Sequence, residues 1–457
     1  MGRRAGAVTV SLDVWHLDVP EFLECQTENG DQRRKAYDIF PQLVVTDEFM
    51  RRVESNALWT LVDPYEVRTN LGIELAELWG SEFDNAYAEI ESKLDDVIKL
   101  YKRINARDLF KEIMKSQVET GMPYIAFKDA INRANPNQHD GYIPSGNLCM
   151  ESYSNVTPGK TAHCCNLTSL NLANLDSEDL EEACTLAVRL LDNTIELTET
   201  PFKASKTHND KYRTIGVGAM GLADWLAKRH FTYKHLSEID VLFEDIGYYC
   251  TKASMVLAKE RDSYPAYPSS EWSKGHLVGA KPLSWYAENL NNDRYDRWKQ
   301  LSQDIQEFGI RNSHITAIAP NTSSSLVQGC TASVLPTYSR FFYDKWAKGT
   351  VPIAPPFIKD CFWFYPENKS IDQTDIVKAV ATMQQWIDTG ISMELIFNLN
   401  EGVYYPDEPE RSITAKEIFD TLILAWKSGC KAIYYIRTVQ RDDFKESTKE
   451  GCTVCAN

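Results

Sequence analysis

The sequence predicts an α/β fold, and three observations predict it. Short β-branched or apolar runs of strand length occur at residues 8–12, 315–320 and 431–437. Between them lie long stretches with apolar residues at three- and four-residue spacing, at 180–197, 239–261, 375–388 and 415–428. The 457 residues are 43% hydrophobic and 25% charged, which suits a soluble chain with a large core.

In chain order, Val8-Thr9-Val10-Ser11-Leu12 reads as a buried strand. Residues 47–121 read as helical, with the spacing clearest at 73–79 and at 110–114, and 93–103 is a charged amphipathic stretch. Residues 145–151 follow a Pro-Ser-Gly run and read as a loop tip. The segment 165–172 enters a strand. The helix 180–197 carries Leu180, Ala183, Leu186, Ala187, Leu190 and Leu191 on one face. Gly216-Val217-Gly218-Ala219-Met220-Gly221 resembles a dinucleotide-binding glycine pattern, but no acidic ribose partner follows a βαβ unit. These glycines are read as permitting close packing at a strand-to-helix turn. The strand 315–320 runs into Asn321-Thr322-Ser323-Ser324-Ser325, either a hydroxyl-rich phosphate cradle or an ordinary Ser-rich helix cap. The helix 415–428 ends at Gly429, a plausible cap. In the strand 431–437, Tyr434 and Tyr435 are expected on opposite sides. Residues 1–440 are read as globular, and 441–457 as a flexible tail carrying Cys452-Thr453-Val454-Cys455.

Composition narrows the function classes. A net charge of −16 argues against general nucleic-acid binding, while leaving room for a local basic pocket for a phosphorylated small molecule. No apolar run has the length of a membrane span, and no signal-peptide-like run opens the chain, so a cytoplasmic protein is expected. Eleven cysteines without framework spacing indicate free thiols in a reducing compartment. Cys25, Cys184, Cys250, Cys330, Cys361 and Cys430 sit in apolar or mixed segments and read as core residues.

Two motifs carry chemistry. Asn147, Cys149 and Glu151 alternate beside Gly146, which would place an amide, a thiol and a carboxylate on one side of an extended loop. The structural alternative is a short buried strand with an inert cysteine. A CxxC pair on a mobile tail suits thiol–disulfide exchange, with zinc binding as the competing reading. No resident metal or cofactor is expected in the chain.

Together, Asn147-Leu148-Cys149-Met150-Glu151, Cys165-Asn166-Leu167, Arg213 to Gly218, Arg311-Asn312-Ser313, Pro320 to Ser324, Tyr434-Tyr435 and the terminal cysteine pair resemble the large, catalytic subunit of class I ribonucleotide reductase. The resemblance runs over essentially the whole chain. It implies a ten-stranded α/β barrel of two five-stranded halves, with residues 145–151 as a finger loop through its centre. It implies that Cys149 holds a transient thiyl radical, that Glu151 is the general base and that Asn147 holds the substrate hydroxyls. Cys165, rather than Cys164, becomes one of two reducing cysteines. Asn321, Thr322, Ser323 and Ser324 bind the substrate diphosphate. Tyr434 and Tyr435 relay the radical from a small subunit that carries a dimetal or tyrosyl radical. Cys452 and Cys455 pass electrons from thioredoxin or glutaredoxin, and dNTP or ATP act as effectors.

The resemblance also implies that a longer N-terminal region, holding the first barrel strands and the second active-site cysteine, lies outside this chain. Arg4 falls in what resembles the substrate-specificity loop. A separate polypeptide is expected to supply that half, and the open barrel edge needs a cover. Two alternatives stand beside this reading. An adenosylcobalamin-dependent reductase needs no second subunit, so it leaves Tyr434-Tyr435 unexplained. A catalytically silent docking half leaves Asn147, Cys149 and Glu151 unexplained.

Overall fold

Parallel strands carry the architecture. The structure, a computed structural model, describes residues 6–346 and 349–440. Arg4, Cys452 and Cys455 therefore lie outside the described residues, as does the segment read as a tail. Val8–Asp13, Ile39–Val45 and Tyr124–Phe127 run side by side in parallel, and Ala432–Ile433 adds antiparallel to the last of them. The two inner parallel strands are apolar runs, Leu43-Val44-Val45 and Tyr124-Ile125-Ala126-Phe127, because both of their faces are covered.

A second parallel ladder holds Leu167–Asn171 and Gly216–Met220. It continues through single bridges from Val217 to Thr316 and from Ile318 to Ile391. The segment 315–320 therefore pairs as expected, but only at isolated positions. Leu395–Asn398 pairs in parallel with Ile436–Val439, so the last described strand joins the two ladders. The strands form an arc with Val8–Asp13 at one end and Leu167–Asn171 at the other, each paired on one side only. Among the described residues the arc is not closed, and the ten-stranded barrel of the sequence reading is not seen. Closure would need further strands between those two edges.

The first strand is real but not buried. Val8 and Val10 are 58% and 41% exposed because the strand has a neighbour on only one side. Residues 47–121 are not uniformly helical. Helices Asp47–Ser55, Pro64–Leu71, Gly80–Ser92 and Ala106–Thr120 alternate with an antiparallel pair, Leu58–Val62 with Tyr101–Asn105. The charged stretch 93–103 ends in that second strand, and 73–79 holds only the short turn Leu75–Glu77. Cross-strand pairing decided these segments, and helical spacing could not reveal it. Caps mark the true boundaries: the Thr46 side chain accepts the Phe49 N–H, and the Asn105 side chain accepts those of Arg107 and Asp108.

Helix Leu180–Leu197 matches its expected bounds, but its inward face is only partly the expected one. Leu180, Ala187 and Leu191 are buried as expected, Leu186 and Leu190 are exposed, and Cys184, Val188, Asp192 and Ile195 are buried in addition. The buried Asp192 carboxylate gathers Arg213, Arg261 and Arg311 at 2.8, 3.0 and 3.4 Å. This network explains why Arg213-Thr214 and Arg311-Asn312, far apart in sequence, meet in the fold. Helix Leu236–Arg261 packs against Leu180–Leu197, and helices Gln373–Gln384 and Ala415–Lys427 complete the cover. Gly429 follows the last of these at φ +79°, the left-handed conformation expected of a helix-ending glycine.

Gly216 and Gly218 do permit close packing, but inside a strand rather than at its exit. A Cβ on Gly218 would sit 2.3 Å from the Ala317 carbonyl oxygen, and one on Gly216 would sit 2.7 Å from the Ala317 Cβ. Gly218→Ala must push two strands of the ladder apart. We expect it to lower stability by about 2–3 kcal/mol, measured by urea unfolding, because backbone cannot step aside as a side chain can.

Candidate active site

The loop 145–151 is a turn held from both sides. Asn132 pins its approach by accepting the Ile143 N–H at 2.7 Å and donating to the Ile143 carbonyl at 3.0 Å. Gly146 is required where the loop crosses Tyr153: a Cβ there would lie 2.3 Å from the ring. The Met150 N–H donates to the Asn147 carbonyl at 3.1 Å, and Met150 takes a left-handed φ of +68°. The Asn147 side-chain oxygen accepts the N–H groups of Glu151 and Ser152, both at 3.0 Å. The loop is thus not extended. Asn147 meets Glu151 through a closed turn, not through strand-like alternation, and the Cys149 sulfur is placed by Tyr434 instead.

The segment 389–392 backs this turn. Gly390 donates its N–H to the Glu151 carbonyl at 2.8 Å, and a Cβ on it would clash with the Met150 carbonyl at 2.4 Å. The Ser392 hydroxyl donates to the Cys149 carbonyl at 2.6 Å and lies 3.4 Å from a Glu151 carboxylate oxygen. Glu151 is 3% exposed. Burial pushes its carboxyl up to about 7, against the hydrogen bonds from Asn147, its own backbone and Ser392.

Tyr434 donates its hydroxyl toward the Cys149 sulfur at 3.6 Å. The Tyr434 and Tyr435 rings are 4.4 Å apart, and both pack on Tyr124, at 4.7 and 5.0 Å. They do not face opposite sides, as expected for one strand. The strand breaks between Ala432–Ile433 and Ile436–Val439, and the two tyrosines occupy the break. The Arg437 guanidinium lies 4.3 Å over the Tyr435 ring and is paired with Glu394.

Cys165 precedes the strand Leu167–Asn171 and is open to solvent. Burial of its thiol, and next the nearby Glu151 carboxylate, push it up to about 12, with Ser152 opposing. Cys164 is half-buried, and its carbonyl accepts from the Asn166 side chain at 3.3 Å. The six cysteines read as core residues are all buried.

Asn321 sits at φ +56° just before helix Thr322–Gln328, so the hydroxyl-rich turn does open a helix. The Ser169 hydroxyl donates to the Asn321 side-chain oxygen at 3.2 Å, and Ser323 and Ser324 are exposed. The strand feeding this turn is tied to the loop's backing: Ile318 exchanges hydrogen bonds with Gly390 and Ser392, both at 3.0 Å. The structure thus links the loop, its backing segment and the turn at 321–324. Ser392, Gly390, Tyr124 and Ser152 were not legible as site residues. The Ser392–Cys149 contact spans 243 positions, and a lone serine carries no local signal.

The family model described as ribonucleotide reductase, barrel domain, matches residues 1–436. The chain belongs to the ribonucleotide reductase barrel-domain family. Among curated relatives, it is 72% identical to the ribonucleoside-diphosphate reductase subunit alpha of Synechocystis sp., over all of this chain and 59% of that protein. It is 34% identical to the corresponding subunit of Helicobacter pylori, over all of this chain and 64% of that protein. The large subunit of the Plasmodium falciparum reductase is 29% identical, with 97% of this chain and 57% of that protein covered. The chain thus spans about three-fifths of the ribonucleotide reductase subunits it matches. Among the described residues no helix is long and apolar enough to cross a membrane.

Proposed function

We propose that this chain forms part of the catalytic subunit of a ribonucleoside-diphosphate reductase. The observation that carries the reading is the contact of Tyr434 with Cys149, 3.6 Å apart on the loop that also bears Glu151. A thiol in contact with a buried tyrosine pair is placed to exchange a hydrogen atom. A carboxyl pushed up to about 7 is suited to move protons near neutral pH.

In this reading a small partner subunit generates the radical at its dimetal or tyrosyl centre, and Tyr435 and Tyr434 pass it to Cys149. The Cys149 sulfur removes the 3′ hydrogen of the substrate ribose. Glu151 takes the 3′-hydroxyl proton, and the 2′-hydroxyl leaves as water. The Asn147 amide holds the hydroxyls in place. Asn321, Thr322, Ser323 and Ser324 receive the diphosphate at the start of a helix. Cys165 and a second cysteine supply two electrons and become a disulfide, which Cys452 and Cys455 re-reduce before thioredoxin or glutaredoxin restores them. Arg4 contributes to base selection, under dNTP or ATP control.

The second cysteine and the further strands belong to the part of the catalytic subunit that this chain does not span. The open edge at Val8–Asp13 supports this, since a parallel strand paired on one side only, with exposed valines, is a ready surface for strand addition. The test is reduction of a ribonucleoside diphosphate by the purified chain, a small radical subunit and dithiothreitol, with and without a chain supplying the remaining portion. Activity only with that chain is the expected result. Activity without it would show that a cysteine of this chain replaces the missing one. Stable assembly without activity would show a docking half that does no chemistry.

A further inference from the structure

Lys431 is a buried cation that the proposed reaction leaves without a role. It lies three residues before Tyr434 and is 4% exposed. Its Nζ donates to three successive carbonyls, those of Ile387, Asp388 and Thr389, at 3.1, 2.6 and 2.8 Å. Three acceptors match the three N–H bonds of an ammonium. A neutral amine has two, and its lone pair would face the third oxygen. Burial pushes the amine down to about 7, with the Asp388 carboxylate opposing. The carbonyl dipoles add to that opposition.

The acceptors begin the segment that holds the active loop. Gly390 and Ser392 follow directly, and they donate to the Glu151 and Cys149 carbonyls at 2.8 and 2.6 Å. The far end of the same segment is bonded to the tyrosines. The Tyr434 N–H donates to the Met393 carbonyl at 2.8 Å, and the Leu395 N–H to the Tyr435 carbonyl at 2.9 Å. Residues 431–435 are thus tied to 387–395 at both ends, and the residues that grip the Cys149 loop lie between the ties. The near end is itself fixed, because the Asp388 carboxylate accepts the N–H groups of Ile315 and Thr316 at 2.7 and 2.8 Å.

Stability gives a poor account of this lysine. A buried charge must be desolvated, and an apolar side chain of similar volume often serves a core as well or better. Two of the carbonyls do not depend on it, since the Gln384 amide donates to those of Ile387 and Thr389, both at 3.0 Å. Gln384 ends the helix that leads into the segment, so its bonds are local and leave the tyrosines unlinked. The link to the tyrosine-bearing residues is what Lys431 adds.

We propose that Lys431 is a positioning residue for hydrogen-atom transfer between Cys149 and Tyr434, setting the register of one against the other. The inference rests on the reading of that pair as the radical step. In the step the Cys149 S–H bond breaks and the Tyr434 O–H bond forms. Electron and proton leave the sulfur together, so the tyrosyl radical becomes a phenol and the thiol becomes a thiyl radical. Transfer needs the two atoms in contact, and they are 3.6 Å apart. Lys431 touches neither atom. It holds the segment that grips the Cys149 carbonyl against the segment that carries the Tyr434 ring. An apolar side chain would fill its space without fixing that register, and a displacement of about 1 Å is enough to slow a reaction about 100-fold.

The test uses this chain assembled with a chain supplying the remaining portion and with the small radical subunit. Lys431→Met is expected to lower kcat about 100-fold and to leave nucleoside diphosphate binding, measured by calorimetry, within about twofold of the parent. Lys431→Ala should be as slow, and n-propylammonium, which replaces the deleted atoms, should restore kcat about tenfold. A cavity of about 320 Å³ lined by Lys431, Lys281 and Trp285 gives the amine a way in. 1-Propanol has a similar volume and no charge, so it should restore nothing. The Ala variant, folded and purified with the amine, also carries the test if Lys431→Met does not fold. A second readout needs no turnover: hydrogen exchange by mass spectrometry on the same assemblies. Peptides covering 389–395 and 147–152 should exchange about tenfold faster in either variant, and propylammonium should return the Ala variant to the parent rate. A kcat within about twofold of the parent, an equal loss of kcat and binding, or rescue by 1-propanol would overturn the proposal. Exchange unchanged from the parent would overturn it whether or not the parent turns over. The expected exchange changes in a parent that never reduces a ribonucleotide would count against the reductase reading alone.

Discussion

Replacing Cys149 by Ser is expected to abolish ribonucleotide reduction in the assembled enzyme while leaving the chain folded. Serine is close in size, and the half-buried thiol makes one side-chain hydrogen bond, from Tyr434. The S–H bond is weak enough to be broken and remade reversibly, whereas the O–H bond of serine is too strong to serve as a carrier. A barrier raised by only about 4 kcal/mol already costs 10³-fold, so turnover should fall at least that far. Tyr434→Phe should have the same effect by a different route. The ring stays packed on Tyr124, but the hydroxyl that faces the sulfur is gone. Steady-state assay of turnover, with nucleoside diphosphate binding measured separately by calorimetry, checks both. Binding should survive and turnover should not. Substantial turnover by either variant would refute the radical path through Tyr434 to Cys149.

Glu151→Gln has two expected consequences of opposite sign. In the proposed reaction Glu151 must be ionised to act as base, and burial places its carboxyl at about 7. Activity should therefore rise with pH through about 7, and the Gln variant should lose on the order of 10²–10⁴-fold. Stability moves the other way. The folded state holds this proton more tightly than the unfolded chain, whose glutamate has the ordinary value of 4.5. As pH rises from 4.5 to about 7, the fold must either keep the proton or bury a charge, so the native state loses stability across that window. The loss amounts to about 3 kcal/mol once pH exceeds 7. The Gln variant escapes it. It should be the more stable protein near pH 8, and the gain should vanish as pH falls toward 4.5. Urea unfolding at several pH values measures this directly. An equal gain at all pH values would mean that the carboxyl is not perturbed in the fold.

Local pattern in the sequence was enough for several elements. Helix Leu180–Leu197 was readable because eighteen residues of regular spacing leave little choice of structure. Gly429 was readable because left-handed backbone favours glycine, and the turn at 321–325 because hydroxyls and small residues cluster at a strand end. The family was legible in the order and separation of motifs such as Asn147 to Glu151. Other features depended on partners distant in the chain. Leu58–Val62 is a strand because Tyr101–Asn105 lies beside it. Leu186 points outward although it looks as apolar as Leu191. The alternation at 147–151 suggested an extended loop, whereas the Asn147 side chain closes a turn there. The Glu151 carboxyl owes its perturbation to burial, which depends on the folded surroundings and not on its neighbours in sequence. By itself the sequence determined which reactive groups the chain owns and where long, regularly spaced helices such as Leu180–Leu197 form, because both are set by side-chain chemistry and short-range backbone preference. Tertiary structure alone decided which groups meet, which face is buried and how tightly each proton is held, because contact and desolvation depend on neighbours that sequence order does not bring together.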